Sequence, residues 1–135
     1  LADRGRCTVP DPDHIVRVFE QYTDALTRDD PDAAIALFAA DAVVRDPVDG
    51  PVLEGATKIR EFFAAGKGVL EYLRLSGPVR IAADGLHAAA PMQARVDFGD
   101  GPKLLDTLDV MTFGDDGLVV SMDAYYGPPN LRDDA

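Results

Sequence analysis

At 135 residues the chain has room for one domain around a single core and none for a second. Hydrophobic residues make up 47% and charged residues 27%, the balance of a globular protein rather than a disordered or membrane-embedded one. The net charge of -11, from 13 Lys and Arg against 24 Asp and Glu, argues against nucleic acid and anionic membranes, because phosphate binding needs clustered cations.

The opening LADRGRCTVPDPD lacks the apolar core of a signal peptide, and no stretch is long and apolar enough to span a bilayer, so the sequence reads as cytoplasmic. Leu1 in place of Met reads as a trimmed start. Cys7 is the only cysteine, which rules out an internal disulfide, and in a flexible segment over residues 1–12 it reads as inert.

A first helix is expected from Asp11 or Asp13, either of which can cap it, with Ile15, Val18, Phe19, Tyr22 and Leu26 recurring on one face. A second opens at Asp30-Pro31, turns Ile35, Leu37 and Phe38 inward and ends before Ala42. A short strand over 42–46 is stopped by Pro47, and Asp49-Gly50-Pro51 makes a turn. A third helix over 56–65 carries Ile59, Phe62 and Phe63 on one face, with Gly66 as its left-handed C-cap. A four-stranded meander follows over 69–81, 87–98, 103–113 and 118–126, with turns at residues 83–85, 99–101 and 114–117. Helices first and hairpin-linked strands after imply an α+β domain in which a curved antiparallel sheet wraps the helices, filling residues 13–131 and leaving 132–135 as a frayed tail.

Three oxygen-bearing side chains stand out. Alternation along the third long strand puts Leu105, Thr107, Asp109, Met111 and Phe113 on one face, where a carboxyl is either paired, turned to solvent or kept protonated by desolvation. Asp46 closes an apolar strand, and Pro47 restricts its backbone to the extended region, which aims its carboxylate. Tyr22 brings a phenol onto the buried stripe of the first helix, where its hydroxyl needs a partner or a ligand. Singly, each has a structural reading: a solvated aspartate, a turn-starting Asp-Pro, a core tyrosine. Together in one apolar cleft they suit enolisation, in which a base removes a proton alpha to a carbonyl and neutral donors hold the developing oxyanion, with no metal or organic cofactor.

Over YTDALTRDDPDAAIALFAADAVVRDP, IREFFAAG and LDVMTFGDDGLVVSMDAYYG the chain resembles bacterial ketosteroid isomerase, the steroid delta-isomerase of the NTF2-like and SnoaL-like superfamily. The resemblance runs from Ile15 to Leu131. It implies a cone-shaped NTF2-like α+β fold with three N-terminal helices packed in a curved antiparallel or mixed sheet. It also implies the conversion of delta-5-3-ketosteroids to conjugated delta-4-3-ketosteroids by proton transfer from C4 to C6. By the same resemblance Asp46 is the base, while Tyr22 and a protonated Asp109 form the oxyanion hole; a neutral carboxylic acid in that place is a known property of the enzyme class. The steroid wall would comprise Leu26, Phe62, Met92, Leu105, Met122 and Tyr126, each of which also reads as an ordinary core residue. A homodimer formed through the outer sheet face is implied as well. The chain departs from the family pattern at Phe38 and Phe63, which stand where some members carry supporting tyrosines.

Other readings of the same architecture remain. A dehydratase would need a histidine, and only His14 and His87 are present, each at the start of an element. An epoxide hydrolase would need a buried Asp-Arg-Asp set; Arg95 and Asp97 have the right two-residue step but share their strand face with Gln93, which suits solvent. A polyketide cyclase and a non-catalytic steroid- or lipid-binding module complete the alternatives.

Overall fold

The computed structural model describes residues 9–134. Leu1, Cys7 and most of the segment expected to be flexible lie outside the described residues, and Pro12 already belongs to the first helix.

Helix α1 spans Pro12–Thr27, capped by the Asp11 carboxylate, which accepts from Asp13 N at 2.7 Å. Its buried stripe holds Ile15, Val18, Phe19, Tyr22 and Ala25. Helix α2, Pro31–Ile35, is capped by Asp30 and is shorter than the sequence suggests. Strand β1, Phe38–Arg45, begins four residues earlier than expected and takes Phe38 out of the helix. The physical reason is capture by the sheet: the Leu37 carbonyl accepts from Val119 N at 2.9 Å, and Phe38 pairs with Val119. After the short strand β2, Val52–Glu54, helix α3 covers Ala56–Ala64 and buries Ile59 and Phe63. Gly66 is not its left-handed cap. The helix closes on Ala65 in a right-handed conformation, and the positive φ falls on Gly68 at +81°.

The expected strand over 69–81 is two strands, β3 at Leu70–Leu75 and β4 at Arg80–Ile81. The break has a cause on both sides. Pro78 has no N–H to donate, and Gly77 passes so close to Pro91 that an added Cβ would sit 2.8 Å from its ring. The long strands β5, His87–Asp97, and β6, Pro102–Phe113, pair antiparallel along their whole length, and β7, Val119–Tyr125, pairs with β6. Arg132 and Asp133, expected to fray, instead belong to β8, Leu131–Asp133, which pairs with the start of β6. Ion pairs of Lys103 with Asp133 (2.9 Å), of Arg95 with Asp134 (2.8 Å) and of Arg132 with Asp106 fasten it.

The sheet runs β2-β1-β7-β6-β5-β3, with β4 on β5 and β8 on β6. The β1–β7 pairing is parallel and the others are antiparallel, so the fold is α+β with a mixed curved sheet around three helices, the cone-shaped arrangement expected. Its core fills the concave side, where α1, α3 and the inner faces of β5, β6 and β7 meet around Phe19, Tyr22, Ile59, Met92, Met111 and Met122. Among the described residues no helix is long and apolar enough to cross a membrane.

Candidate active site

The inner face of the sheet does not close completely on the helices. A cavity of about 320 Å³ remains, lined mainly by apolar side chains, and Tyr22, Asp46 and Asp109 all face it. Its size and lining match small-molecule sites, which are mostly apolar with a few polar groups that fix orientation.

One residue of β7 brings the two carboxyls together. Ala124 pairs in register with Asp109, and its carbonyl accepts from Val48 N at 2.8 Å, pinning the turn that follows Asp46. On its other side Asp109 is in register with Ala90. Two alanines leave the carboxyl room while keeping water away, and Asp109 is only 3% exposed. Asp46 follows the exposed Arg45, whose guanidinium turns outward to make a two-pronged ion pair with Asp123 at 2.7 Å per contact. By alternation the Asp46 side chain then faces inward.

Tyr22 reaches the cavity from α1 through an aromatic cluster. Phe38 and Phe63 lie 6.2 and 5.8 Å from its ring, centroid to centroid, and 5.5 Å from each other. These are the two phenylalanines that stand in place of supporting phenols, so the Tyr22 ring is held by packing. Neither the Tyr22 hydroxyl nor Asp109 Oδ2 has a hydrogen-bond partner among the described residues. No shut-away side-chain nitrogen or oxygen among those residues goes unpartnered, so both oxygens touch cavity space.

Burial and the charge of Asp46 set the protonation state of Asp109. Burial raises the Asp109 pKa and the Asp46 charge raises it further, to about 8, against a smaller opposing effect of the Thr107 hydroxyl. At neutral pH Asp109 therefore keeps its proton. Burial also raises Asp46, but the Tyr126 hydroxyl approaches that carboxyl and favours its charged form. Two neighbouring carboxyls in such unlike surroundings are able to divide an acid's and a base's work between them. Burial first, and then the nearby carboxylates, hold the Tyr22 and Tyr126 phenols in their neutral, donating forms.

Of the expected wall, Leu26, Phe62, Leu105 and Tyr126 line the cavity. Met92 and Met122 do not: both are fully buried in the core. They stand on the inner face as alternation requires, but their flexible side chains fill space against the helices, and the cavity wall passes to Ala94 and Ala124, two positions further on. Thr107 and Phe98 line the cavity without having been singled out. The signal for Thr107 was present in its alternation with Asp109; for Phe98, at a strand end before a glycine turn, there was none.

The remaining candidates lie elsewhere. His14 Nε2 contacts the Gly117 carbonyl at 2.8 Å, and His87 pairs with Asp84 at 2.6 Å on the surface. Arg95 pairs with Glu71 and Asp134, and the exposed Asp97 accepts from Gly99 N and Gly101 N, so these two form no buried Asp-Arg-Asp set. Among the described residues no cluster of three or more His, Cys, Asp or Glu has metal-binding geometry.

The family model described as SnoaL-like domain matches residues 19–122, a span that takes in Tyr22, Asp46 and Asp109. The Steroid Delta-isomerase of Nocardioides simplex is 34% identical over 111 residues, covering 82% of this chain and 88% of that protein. The solved structure of an epoxide hydrolase/cyclase-like enzyme with a role in pyran ring formation in polyether salinomycin superposes with a TM-score of 0.81. It covers 90% of this chain and 96% of that one at 24% identity, a likeness of fold.

Proposed function

The chain belongs to the SnoaL-like family of NTF2-like domains, and we propose that within it the protein is a steroid delta-isomerase that moves the double bond of a delta-5-3-ketosteroid into conjugation. The observation that carries the proposal is the meeting in one apolar cavity of the Asp46 carboxylate with two oxygens, on Tyr22 and Asp109, that have no hydrogen-bond partner among the described residues. The identity with a steroid delta-isomerase over most of the chain supports it and points to a small ketone as substrate.

Each residue then has one task. Asp46 takes the proton from C4; the C4–H bond breaks, an O–H bond forms on the carboxyl, and the electron pair passes through C3 to its oxygen. Tyr22 and protonated Asp109 donate hydrogen bonds to that oxygen as its charge grows, in a site where burial strengthens the interaction. The dienolate then takes the proton back from Asp46 at C6, which leaves the conjugated enone and regenerates the carboxylate. Neutral donors suffice to hold an enolate, so the proposed chemistry calls for no metal or organic cofactor. The apolar wall, including Leu26, Phe62 and Leu105, holds the steroid skeleton by burial.

The rival reading is a binding module that keeps the cavity without turnover. Asp46 weighs against it, because a desolvated carboxylate facing an apolar ligand costs free energy and returns no affinity. Absorbance of the conjugated enone on mixing the protein with a delta-5-3-ketosteroid separates the two. Bound steroid with no enone above background would establish the binding module. The homodimer belongs to the same proposal. Leu108 and Tyr125, directly paired on the outer face of β6 and β7, are 42% and 49% exposed, an apolar pair suited to cover by a second copy. Sedimentation at a monomer's mass would remove it.

A further inference from the structure

Of the polar residues lining the cavity, Thr107 and Tyr126 have no task in the proposed mechanism, and Thr107 is the one bonded to Asp109. It stands on β6 two positions before Asp109, so both side chains share the inner face and both line the cavity. Its hydroxyl donates to Asp109 Oδ1 at 3.1 Å.

A protonated carboxyl has two unlike oxygens: one accepts as a carbonyl, the other carries the proton and donates. A hydroxyl donating to Oδ1 favours Oδ1 as the accepting oxygen and leaves the proton on Oδ2. Among the described residues no other side chain is hydrogen-bonded to either oxygen. The register neighbours Ala90 and Ala124 present only methyl groups. The titratable groups that face it are Tyr22 from α1, Asp46 after β1 and Tyr126 after β7, and none of them is hydrogen-bonded to its carboxyl.

We infer that Thr107 is a positioning residue that confines the Asp109 proton to Oδ2, the oxygen facing the cavity, and so aims it at the substrate oxygen. This rests on the isomerase reading for its consequence in catalysis, though not for the bond itself. Without Thr107 the proton is free to reside on either oxygen, and only one of the two placements donates into the cavity. The same bond favours the ionised carboxyl, in opposition to burial and to the charge of Asp46, so removing it moves the Asp109 titration upward from about 8.

The test compares Thr107→Val, which replaces the hydroxyl by a methyl and keeps the β-branched shape suited to a strand, with Thr107→Ser, which keeps the hydroxyl. In the free protein, infrared difference spectra against Asp109→Asn follow the protonated carboxyl of Asp109 through pH. The expectation for Thr107→Val is a titration shifted upward by roughly half a unit or more, a net hydrogen bond's worth, with Thr107→Ser close to the parent protein. With the delta-5-3-ketosteroid, kcat falls about five- to tenfold in Thr107→Val at little change in KM, its alkaline limb moves up with the titration, and Thr107→Ser restores both. An unmoved titration, or a loss of kcat that Thr107→Ser does not restore, overturns the inference. If the parent protein makes no enone it is the isomerase reading that fails, and the infrared titration still decides whether Thr107 governs the Asp109 proton.

Discussion

Asp109→Asn removes an ionisable group from the cavity while keeping its size and the oxygen that Thr107 bonds, and the structure gives the consequence for stability a sign and a magnitude. In an unfolded chain this aspartate titrates at its ordinary value of 3.8; in the folded protein it titrates at about 8. Below both values the group is protonated in either state and pH has no leverage. Between them the unfolded chain has lost the proton that the folded chain still holds, so stability falls as pH rises, by ~1.4 kcal/mol per unit. By pH 7 the accumulated loss is on the order of 4 kcal/mol, and above about 8 it grows no further. Asparagine carries no such dependence on pH. The variant and the parent protein should therefore unfold at similar denaturant concentrations near pH 4. The variant should then become progressively the more stable of the two toward pH 8. Urea unfolding at four pH values between 4 and 9 measures the gap. A gap that does not change with pH, or a variant weaker than the parent at pH 7, would refute the account of Asp109 as a desolvated acid held neutral by its site.

The other predictions concern catalysis and binding. Asp46→Asn should lower turnover by at least a hundred- to a thousandfold while tightening the binding of equilenin, a phenolic steroid that mimics the dienolate; unchanged turnover in the enone assay removes Asp46 as the base. Tyr22→Phe should cost on the order of a hundred- to a thousandfold in kcat with a melting temperature close to the parent's, because its hydroxyl has no partner among the described residues. A collapse in melting temperature would assign that hydroxyl a structural task instead. Asp109→Ala should weaken equilenin binding in direct titration, and an unaltered affinity would place Asp109 outside the oxyanion hole. Phe98, 62% exposed at the rim of the cavity, should be covered by a four-ring substrate, so Phe98→Ala raises KM about fivefold or more with kcat unchanged. Steady-state kinetics showing the same KM would put the far end of the steroid elsewhere.

What the amino-acid order determined alone is what depends on spacing along the chain. Helical recurrence from Ile15 to Leu26 placed Tyr22 on a buried stripe, and strand alternation from Leu105 to Phe113 placed Asp109 among apolar neighbours, because both periods are properties of the local backbone. Proline and glycine marked the turns for the same reason. The short-range reading failed where a distant partner decided the outcome. Phe38 left its helix because Val119, 81 positions later, captured the backbone before it; the strand over 69–81 broke against Pro91; and the tail beyond Leu131 was ordered by pairing with β6.

The proposed catalytic trio divides along the same line. Residue types and resemblance singled out Tyr22, Asp46 and Asp109, but their meeting depends on Ala124, which pairs with one carboxyl's strand and anchors the other's turn. Only the tertiary structure shows that Met92 and Met122 fill core while Ala94 and Ala124 border the cavity, and that Thr107 bonds one oxygen of Asp109 and leaves the other facing the cavity. A period of two assigns a side chain to a face of the sheet, whereas depth on that face and the choice between two carboxyl oxygens are set by neighbours remote in the chain.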